Sequence, residues 1–289
     1  MGQEKWRGRA VKAIVGLFMM AYFFFALFPL LWILLMSFKT RADIIDYPPK
    51  FIFQPTLQNY QEVLFGVSGF GYLDTKSDFP LYFKNTLIIS TGAVLLSVLI
   101  GVPAAYALAR YKYTGKEDIA FTFLSFRFAP ELAVIIPIFI IFQTLGLYDT
   151  YLGLILVYQL IAAPLLIWVL RGYFEDIPVE VEQAAMVDGY GWWGIFRKIA
   201  LPLVLPGLAA AVILSFIFCW NSFSFALILS GRETQPLTLG LLGYFSAVEV
   251  KWGQLAAASI ITILPELVLA FLVLKYLIRG LTFGAVRGG

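Results

Sequence analysis

Six long apolar runs, each about as long as a helix that crosses a bilayer, dominate this sequence. About 20 helical residues span the hydrocarbon core of a membrane. Inside lipid the backbone must satisfy its own hydrogen bonds, which favours helices. Because 61% of the residues are hydrophobic and only 13% are charged, against about 25% charged in soluble domains, we predict an all-α polytopic membrane protein with six transmembrane helices. The runs cover residues 13–36, 84–109, 119–142, 151–170, 203–229 and 255–278.

The placement of lysine and arginine predicts how the chain is oriented. Six crossings put both termini on the same side of the membrane, and thirteen of the 21 basic residues fall on that side. Basic residues are enriched on the cytoplasmic side, so we predict that both termini and the 171–202 loop are cytoplasmic. The thirteen are Lys5, Arg7, Arg9, Lys12, Arg110, Lys112, Lys116, Arg171, Arg197, Lys198, Lys275, Arg279 and Arg287; the seven on the other side are Lys39, Arg41, Lys50, Lys76, Lys84, Arg232 and Lys251; Arg127 lies inside a crossing.

The two segments at the start of the chain are predicted to be a retained helix and an external loop. The first apolar run is longer than the core of a signal peptide, which has about 7–15 residues, and no convincing cleavage site follows it. Residues 1–36 are therefore predicted to form a cytoplasmic N-terminus and a first transmembrane helix. Residues 37–82 contain several Pro and Gly, which predicts an external loop with short helical pieces.

The composition disfavours chemistry on this chain. It has no histidine and one cysteine, Cys219, which lies inside an apolar run. The commonest metal ligand and general base is thus missing, and we predict no metal site and no catalytic residue. No glycine-rich stretch ends in the Gly-Lys-Ser/Thr of a phosphate-binding loop. Any ATP site is therefore predicted on another chain.

The polar connection at 177–202 has the features of two short helices joined by a sharp bend. Pro178 suits the first helical position, and acidic residues in the following turn suit a helix N-terminus. Asp188-Gly189 is a helix stop, since Gly readily takes the left-handed conformation. A second helical run, 192–200, ends at Leu201-Pro202. Because small side chains on the first helix let a partner's surface approach closely, we interpret this stretch as a docking element.

The spacing within this stretch resembles the EAA loop of ABC-transporter permeases. The triplet at 183–185 is followed after three residues by Gly189, after nine more by Ile199, and after one more by Leu201-Pro202. The one departure is Gln183, where the family usually has Glu, and the surrounding residues are similar to the carbohydrate-importer branch. The resemblance implies coupling to a cytoplasmic ATPase through Glu180, Glu182, Gln183, Ala184, Ala185, Asp188, Gly189, Ile199, Leu201 and Pro202.

The same resemblance implies the fold and the partners. It implies a type I ABC importer permease fold in the cell inner membrane, with a core at 83–281, a coupling loop at 177–202 and a cytoplasmic tail at 282–289. The tail is either a frayed end or, as the resemblance implies, a segment inserted between the ATPases. The implied function is half of the import path for a sugar, polyol or related hydroxylated solute.

The implied partners are a second, non-identical permease subunit, an ABC ATPase dimer that carries ATP and Mg, and an external solute-binding protein received by the 37–82 loop. No cofactor is expected on this chain, and no nucleic acid partner is implied. Because Gln183 carries no charge, we predict that Glu180, Glu182 or Asp188 pairs with a basic residue of the ATPase.

Two charged residues lie within the third apolar run. An ionisable group at membrane depth costs at least about 2.5 kcal/mol, so it is a functional candidate. Arg127 and Glu131 stand four residues apart around Pro130, and we expect them on one helical face. They form an ion pair, line the translocation path, or lie at helix ends where both are partly exposed. Glu266 in the sixth run is a further candidate and an alternative partner for Arg127.

Further polar side chains at membrane depth are candidates for the path. Trp220, Asn221 and Ser222 form a polar patch in the fifth run, and Gln159 lies in the fourth. An indole face beside an amide is a common means of binding sugars, although Asn also commonly joins helices. An alternative function is a stand-alone secondary carrier or channel that uses Arg127, Glu131 and Glu266. An intramembrane enzyme is a third class, which the absence of histidine disfavours.

Overall fold

The computed structural model describes residues 2–66, 76–128, 131–246 and 249–285. Helices account for most of these ranges, and the only extended pairing within them is one isolated bridge between Phe245 and Val250. A π-helical segment, Phe196–Ala200, and a 3₁₀ segment, Leu241–Tyr244, accompany the α-helices. The α-helices are α1 Gly2–Ser37, α2 Arg41–Ile45, α3 Gln58–Phe65, α4 Phe79–Arg110, α5 Lys116–Phe128, α6 Glu131–Thr144, α7 Tyr151–Val157, α8 Gln159–Glu175, α9 Val179–Val187, α10 Trp192–Ile195, α11 Leu201–Leu203, α12 Leu205–Trp220, α13 Ser224–Leu229, α14 Leu237–Gly240 and α15 Trp252–Ala285.

The membrane spans are of two kinds. Three helices are each long and apolar enough to cross a membrane, over Ile14–Ser37, Phe79–Arg110 and Trp252–Leu272. Three bent pairs meet the same criteria together: α5 with α6, α7 with α8, and Trp192–Leu203 with α12. The described chain thus has six spans when each bent pair is one span, in agreement with the prediction.

The predicted runs at 119–142, 151–170 and 203–229 are not continuous helices, and this corrects the sequence prediction. One of these breaks is at Val204, where the axes of the two flanking helical segments differ by 74°. Pro206 stands in the first turn of α12, where its missing N–H costs no hydrogen bond. Residues 129–130, which connect α5 and α6 and include Pro130, lie outside the described residues.

The first of two compact units contains Met1–Ser77 and Gly243–Ile261. Its two short helices, α2 and α3, confirm the helical pieces predicted in the 37–82 loop. Asn59 fixes α3 to the end of α1, because its amide donates to the carbonyl of Ser37 at 2.9 Å and to that of Lys39 at 2.8 Å. An ion pair of 3.0 Å joins Arg41 to Glu249.

The second unit contains Asp78–Leu242 and Thr262–Gly289, and its core is a bundle of three helices. Helix α4 packs along α8, and α12 packs against both. Gly101 permits the close approach of α4 and α8, since a Cβ there would lie 2.8 Å from Cδ2 of Leu166. The core also holds Leu170 and Phe174 near the end of α8. This bundle carries the segment that the sequence singles out.

One carboxylate organises a loop of the second unit outside the spans. Asp149 accepts hydrogen bonds from the backbone N–H of Gly231 at 2.8 Å and of Thr234 at 3.0 Å, and from the Thr234 hydroxyl at 2.7 Å. Partial burial raises the pKa of Asp149, but these hydrogen bonds outweigh burial and hold the pKa below its usual value. The carboxylate therefore stays charged and holds the 231–234 segment against residue 149.

Candidate functional site

Helix α9 is a short helix with both ends defined by local chemistry. It begins after Pro178, which occupies the capping position rather than the predicted first helical position. It ends where the N–H of Gly189 donates to the carbonyl of Met186 and the N–H of Tyr190 donates to that of Ala185, both at 3.0 Å. Gly189 has a φ of +86°, as this stop requires. The predicted Asp188-Gly189 helix stop is confirmed.

The second helical part of the coupling loop, 177–202, is longer than predicted. Helix α10, the π-helical segment and α11 run on from Trp192 to Leu203, so this helical run ends at Leu203 rather than at the predicted Leu201-Pro202, and the chain bends at Val204. Phe196 and Ala200 belong to the same core as α4 and α8. Ile195 is fully buried. The loop is thus built into the helix bundle along one side.

The other side of α9 is exposed. The predicted coupling residues Glu180, Gln183 and Ala184 of α9 are exposed, as are Asp188 and Gly189 directly after it, whereas Ala185 is buried. Val187 is 88% exposed, which leaves an apolar side chain beside these small and acidic residues. Of the remaining predicted residues, Ile199 and Leu201 are half-buried and Pro202 is exposed. The structure therefore exposes five of the ten predicted coupling residues in α9 and the helix stop that follows it.

Glu182 is not available on that surface, which corrects its predicted role as a partner contact. Its carboxylate accepts from Nε of Arg110 at 2.8 Å and from the hydroxyl of Tyr106 at 3.0 Å. The Arg110 guanidinium also donates to the carbonyl of Ile177 at 2.9 Å. The side chains of the ion pair are only 8% and 3% exposed. The charge of Glu182 is thus used within this chain, and Glu180 and Asp188 are the acids that face outward.

Aromatic side chains border the coupling loop. Trp192 packs against Tyr111 with ring centroids 5.8 Å apart, and Trp193 packs against Phe196 at 5.3 Å. Both tryptophans keep more than half of their surface exposed. Such amphipathic rings at the end of a span are typical of a membrane interface.

The predicted Arg127–Glu131 ion pair is absent from the described residues. Helix α5 ends at Phe128 and α6 begins at Glu131, so the two side chains do not share one helical face. The Arg127 guanidinium instead lies over the ring of Phe218, 3.9 Å from its centroid. Such a contact is a cation–π interaction. Both charged residues line a cavity of about 310 Å³ together with Pro137, Leu160 and Phe225.

Asn221 and Glu266 form a second polar group at membrane depth. The Asn221 amide is exposed and donates to the Glu266 carboxylate at 2.8 Å. The expectation that Glu266 pairs with Arg127 is wrong, since no ion pair joins them among the described side chains and Asn221 takes the carboxylate. We call Arg127, Glu131, Asn221 and Glu266 the polar path.

Three other predicted path residues are used in helix packing. Trp220 is buried between Phe83 and Phe216, and its indole N–H donates to the carbonyl of Thr262 at 3.2 Å. Ser222 is also buried. Gln159 accepts from Ser97 at 2.7 Å and donates to the carbonyls of Ala93 and Ile155 at 3.0 and 2.9 Å. Trp220 and Gln159 thus join helices and Ser222 is buried, so the structure does not present them to a solute.

Sequence reasoning missed Arg110 and Tyr106. Arg110 was counted only as a cytoplasmic charge, although the two residues stand four apart on α4 and so share a face. Their common acceptor lies on a distant segment, which no local pattern indicates. As for a metal, no three His, Cys, Asp or Glu side chains in the described ranges lie close enough together to hold one.

Comparison with known proteins places the chain in a family. Residues 97–283 match the family described as binding-protein-dependent transport system inner membrane component. A probable ABC transporter permease protein y4oR of Sinorhizobium fredii is 34% identical, with 96% of each chain covered. The trehalose/maltose transport system permease protein MalG of Thermococcus litoralis is 33% identical, with 97% of this chain and 98% of the relative covered.

A solved structure agrees with the sequence relatives. It is a chain of a bacterial ABC transporter involved in the import of the acidic polysaccharide alginate, and it superposes with a TM-score of 0.76 at 25% identity. The match covers 93% of this chain and 96% of that chain. This likeness supports the type I importer permease fold with its six spans. The chain belongs to the family of inner membrane components of binding-protein-dependent transport systems, the permease subunits of ABC importers.

Proposed function

We propose that this chain forms half of the import path for a sugar, polyol or related hydroxylated solute and couples that path to a cytoplasmic ATPase. The observation that carries the proposal is the two-sided coupling loop. One side, with Ile195 and Phe196, is buried in the bundle, and the other, with Ala184 and Val187, is exposed. A helix of this kind can receive force from a partner and pass it to the membrane helices.

ATP hydrolysis takes place on the ATPase dimer, which binds ATP and Mg. Closure of the dimer moves the exposed face of α9, and the buried face carries the motion into the α4, α8 and α12 bundle. A solute alone cannot drive transport, because only a difference in free energy between two states shifts their populations. That difference comes from ATP on the partner. On this chain the work is mechanical.

The outward-facing acids of α9 contact the ATPase. Because Gln183 has no charge and Glu182 is used internally, Glu180 and Asp188 are the acids that pair with a basic residue of the partner. An ion pair at an exposed rim contributes little free energy but sets the orientation of docking. Ala184 and Gly189 allow the two backbones to approach closely.

The polar path supplies hydrogen bonds to the solute. Asn221 and Glu266 are held together at 2.8 Å, and Asn221 is exposed, so a hydroxyl group can donate to the carboxylate or accept from the amide. Arg127 and Glu131 line a cavity in the same unit. The carbohydrate class is supported by relatives named for trehalose/maltose transport and by the alginate importer.

The remaining partners complete an importer. A second, non-identical permease subunit forms the other half of the path, and an external solute-binding protein docks on the 37–82 loop and delivers the solute. Both termini and the coupling loop face the cytoplasm, where the ATPase binds. The alginate importer, whose complex with a solute-bound periplasmic protein has been solved, supports a partner of this kind.

Affinity purification in mild detergent followed by mass spectrometry tests this proposal. We expect an ABC ATPase, a second permease and a solute-binding protein to copurify with the chain. ATP should then drive solute import into liposomes that contain the purified complex. A chain that purifies alone and transports without ATP would instead be a stand-alone carrier, and the proposed coupling to an ATPase would be wrong.

A further inference from the structure

A buried ion pair joins the coupling loop to a transmembrane helix. Two donors on α4, Arg110 and Tyr106, converge on the two carboxylate oxygens of Glu182 on α9, at 2.8 and 3.0 Å. The Arg110 guanidinium also binds the carbonyl of Ile177 at 2.9 Å, in the residue pair that precedes α9. Three hydrogen bonds therefore fix α9 to one helix end.

These hydrogen bonds are polar contacts, whereas the other buried side chain of α9 makes only apolar contacts. On that helix the buried residues are Glu182 and Ala185, and Ala185 contributes a single methyl group. The hydrogen bonds that tie a described α9 side chain to a transmembrane helix are made by Glu182. An apolar contact allows sliding, whereas a charge-assisted pair with two acceptor oxygens fixes orientation. The polar link is thus the directional one.

Helix α4 is well placed to spread a motion through the bundle. It packs along α8 and against α12, and Val102, Ala105 and Tyr106 belong to the same core as Phe196 of the coupling loop. The ring of Tyr106 also packs against Phe174 and Phe196, with centroids 5.3 and 5.0 Å away. A displacement of α9 that is passed to Arg110 and Tyr106 therefore reaches the packed centre of the unit.

We propose that the Arg110–Glu182 ion pair, with Tyr106, is the mechanical link through which α9 moves α4. This inference rests on the proposed coupling to an ATPase and names the residues that transmit it. Arg110 and Tyr106 are positioning residues, since they act through Glu182 and touch neither solute nor nucleotide. Loss of the link uncouples ATP hydrolysis from import without removing the ATPase from the complex.

The direct test measures solute imported per ATP hydrolysed in liposomes that contain the complete complex. For Glu182→Gln and Arg110→Ala we expect this ratio to fall by about tenfold, the size of a typical coupling free energy, while ATPase binding is retained. Tyr106→Phe removes one hydroxyl and should give a smaller fall. A ratio equal to that of the unaltered protein in all three variants would overturn the proposal.

Arg171→Ala is the matched control. Arg171 also forms ion pairs near the end of a membrane helix, but it binds Glu117 and Glu175 at 2.6 and 2.8 Å, outside the coupling loop. Its removal should leave the import ratio unchanged. An equal fall in Arg171→Ala would show that loss of any such ion pair uncouples the complex, and would overturn the specific role of Arg110.

If a variant assembles poorly, a distance measurement tests whether α9 and α4 move together. Spin labels on Tyr113→Cys, three residues beyond α4, and on Val181→Cys in α9, both at exposed positions, report the separation of the α4 end and α9. In the otherwise unaltered complex this distance should be the same with and without ATP, and with Tyr106→Phe it should change between the two states. A distance that varies with ATP before any substitution would contradict a rigid link. If the unaltered chain binds no ATPase at all, the proposed function fails and not only this link.

Discussion

The coupling loop and the polar path both contain charged side chains. In the coupling loop the buried charge has an ion-pair partner within this chain, whereas on the polar path the polar side chains remain accessible. At the coupling loop Glu182 is buried with Arg110 as its partner. On the polar path Arg127 and Glu131 form no ion pair with each other in the described structure, and Asn221 is exposed beside Glu266. The difference teaches that a buried polar group with internal partners serves the structure here, and that the accessible polar groups are the ones we propose for binding another molecule.

The largest effect should come from the buried side of the coupling loop. Ile195 is fully buried, so Ile195→Ala should lower the free energy of unfolding by about 2–5 kcal/mol, since it leaves a cavity in a packed core. Val187→Ala is the control, because that side chain is 88% exposed and should alter stability little in the isolated chain. Thermal unfolding in detergent measures both. Equal losses would break the distinction between the two sides.

A smaller effect should follow from forcing a side chain onto Gly189. Its φ of +86° is strained for any residue with a Cβ, so Gly189→Ala should destabilise the helix stop by about 1–2 kcal/mol. Gly191→Ala is matched to it, since Gly191 has a φ of −75° and nothing within 4 Å of an added Cβ. We expect ATPase binding to weaken only for Gly189→Ala. Equal binding by both variants would show that the stop is not needed.

On the polar path, Asn221→Ala should act on solute rather than on stability. Removal of the amide leaves Glu266 without this donor and should raise the solute concentration for half-maximal import by roughly tenfold. Gln159→Leu sharpens the comparison, because its three hydrogen bonds join helices. It should lower stability and leave the half-maximal concentration unchanged. If Asn221→Ala lowered only stability and Gln159→Leu raised only the half-maximal concentration, Gln159 rather than Asn221 would be the residue that contacts the solute.

The smallest effect should be a pH dependence at the loop of the second unit that Asp149 holds together. The pKa of Asp149 is lowered from its usual value of about 3.8, so its contribution to stability is present above that value and is lost as pH falls through the lower, folded-state pKa. Asp149→Asn should therefore be less stable than the unaltered chain at neutral pH, and the gap should narrow below pH 3.8. A gap that is constant with pH would exclude the charge as the cause.

The parts of the fold that follow from local sequence were predictable. Long apolar runs indicate spans, and Asp188-Gly189 indicates a helix stop, because hydropathy and glycine conformation act over neighbouring residues. The bends inside three of the runs were not predicted. The bend at Val204 lies between Pro202 and Pro206, each in the first turn of a helix. Hydropathy alone does not indicate where a helix bends.

The pairings of polar side chains were the part that sequence could not provide. Glu182 was expected to face a partner because it lies in the predicted coupling segment beside the uncharged Gln183, yet Arg110, 72 positions away, takes its charge. Glu266 was expected near Arg127 but binds Asn221. Spacing within one segment does not determine which distant helix lies opposite, so such contacts follow only from tertiary packing.

The measurement that tests the central claim most directly is cysteine cross-linking to the ATPase from two adjacent positions. Ala184 is exposed and Ala185 is 5% exposed, so Ala184→Cys and Ala185→Cys place the same thiol at an exposed and at a buried position of α9, about 100° apart around the helix. The native Cys219 is buried and does not compete for a thiol-directed reagent. We predict that Ala184→Cys forms an adduct with the ATPase and that Ala185→Cys does not. An adduct from Ala185→Cys alone, or from neither, would contradict a coupling loop with one face for the partner and one for the bundle.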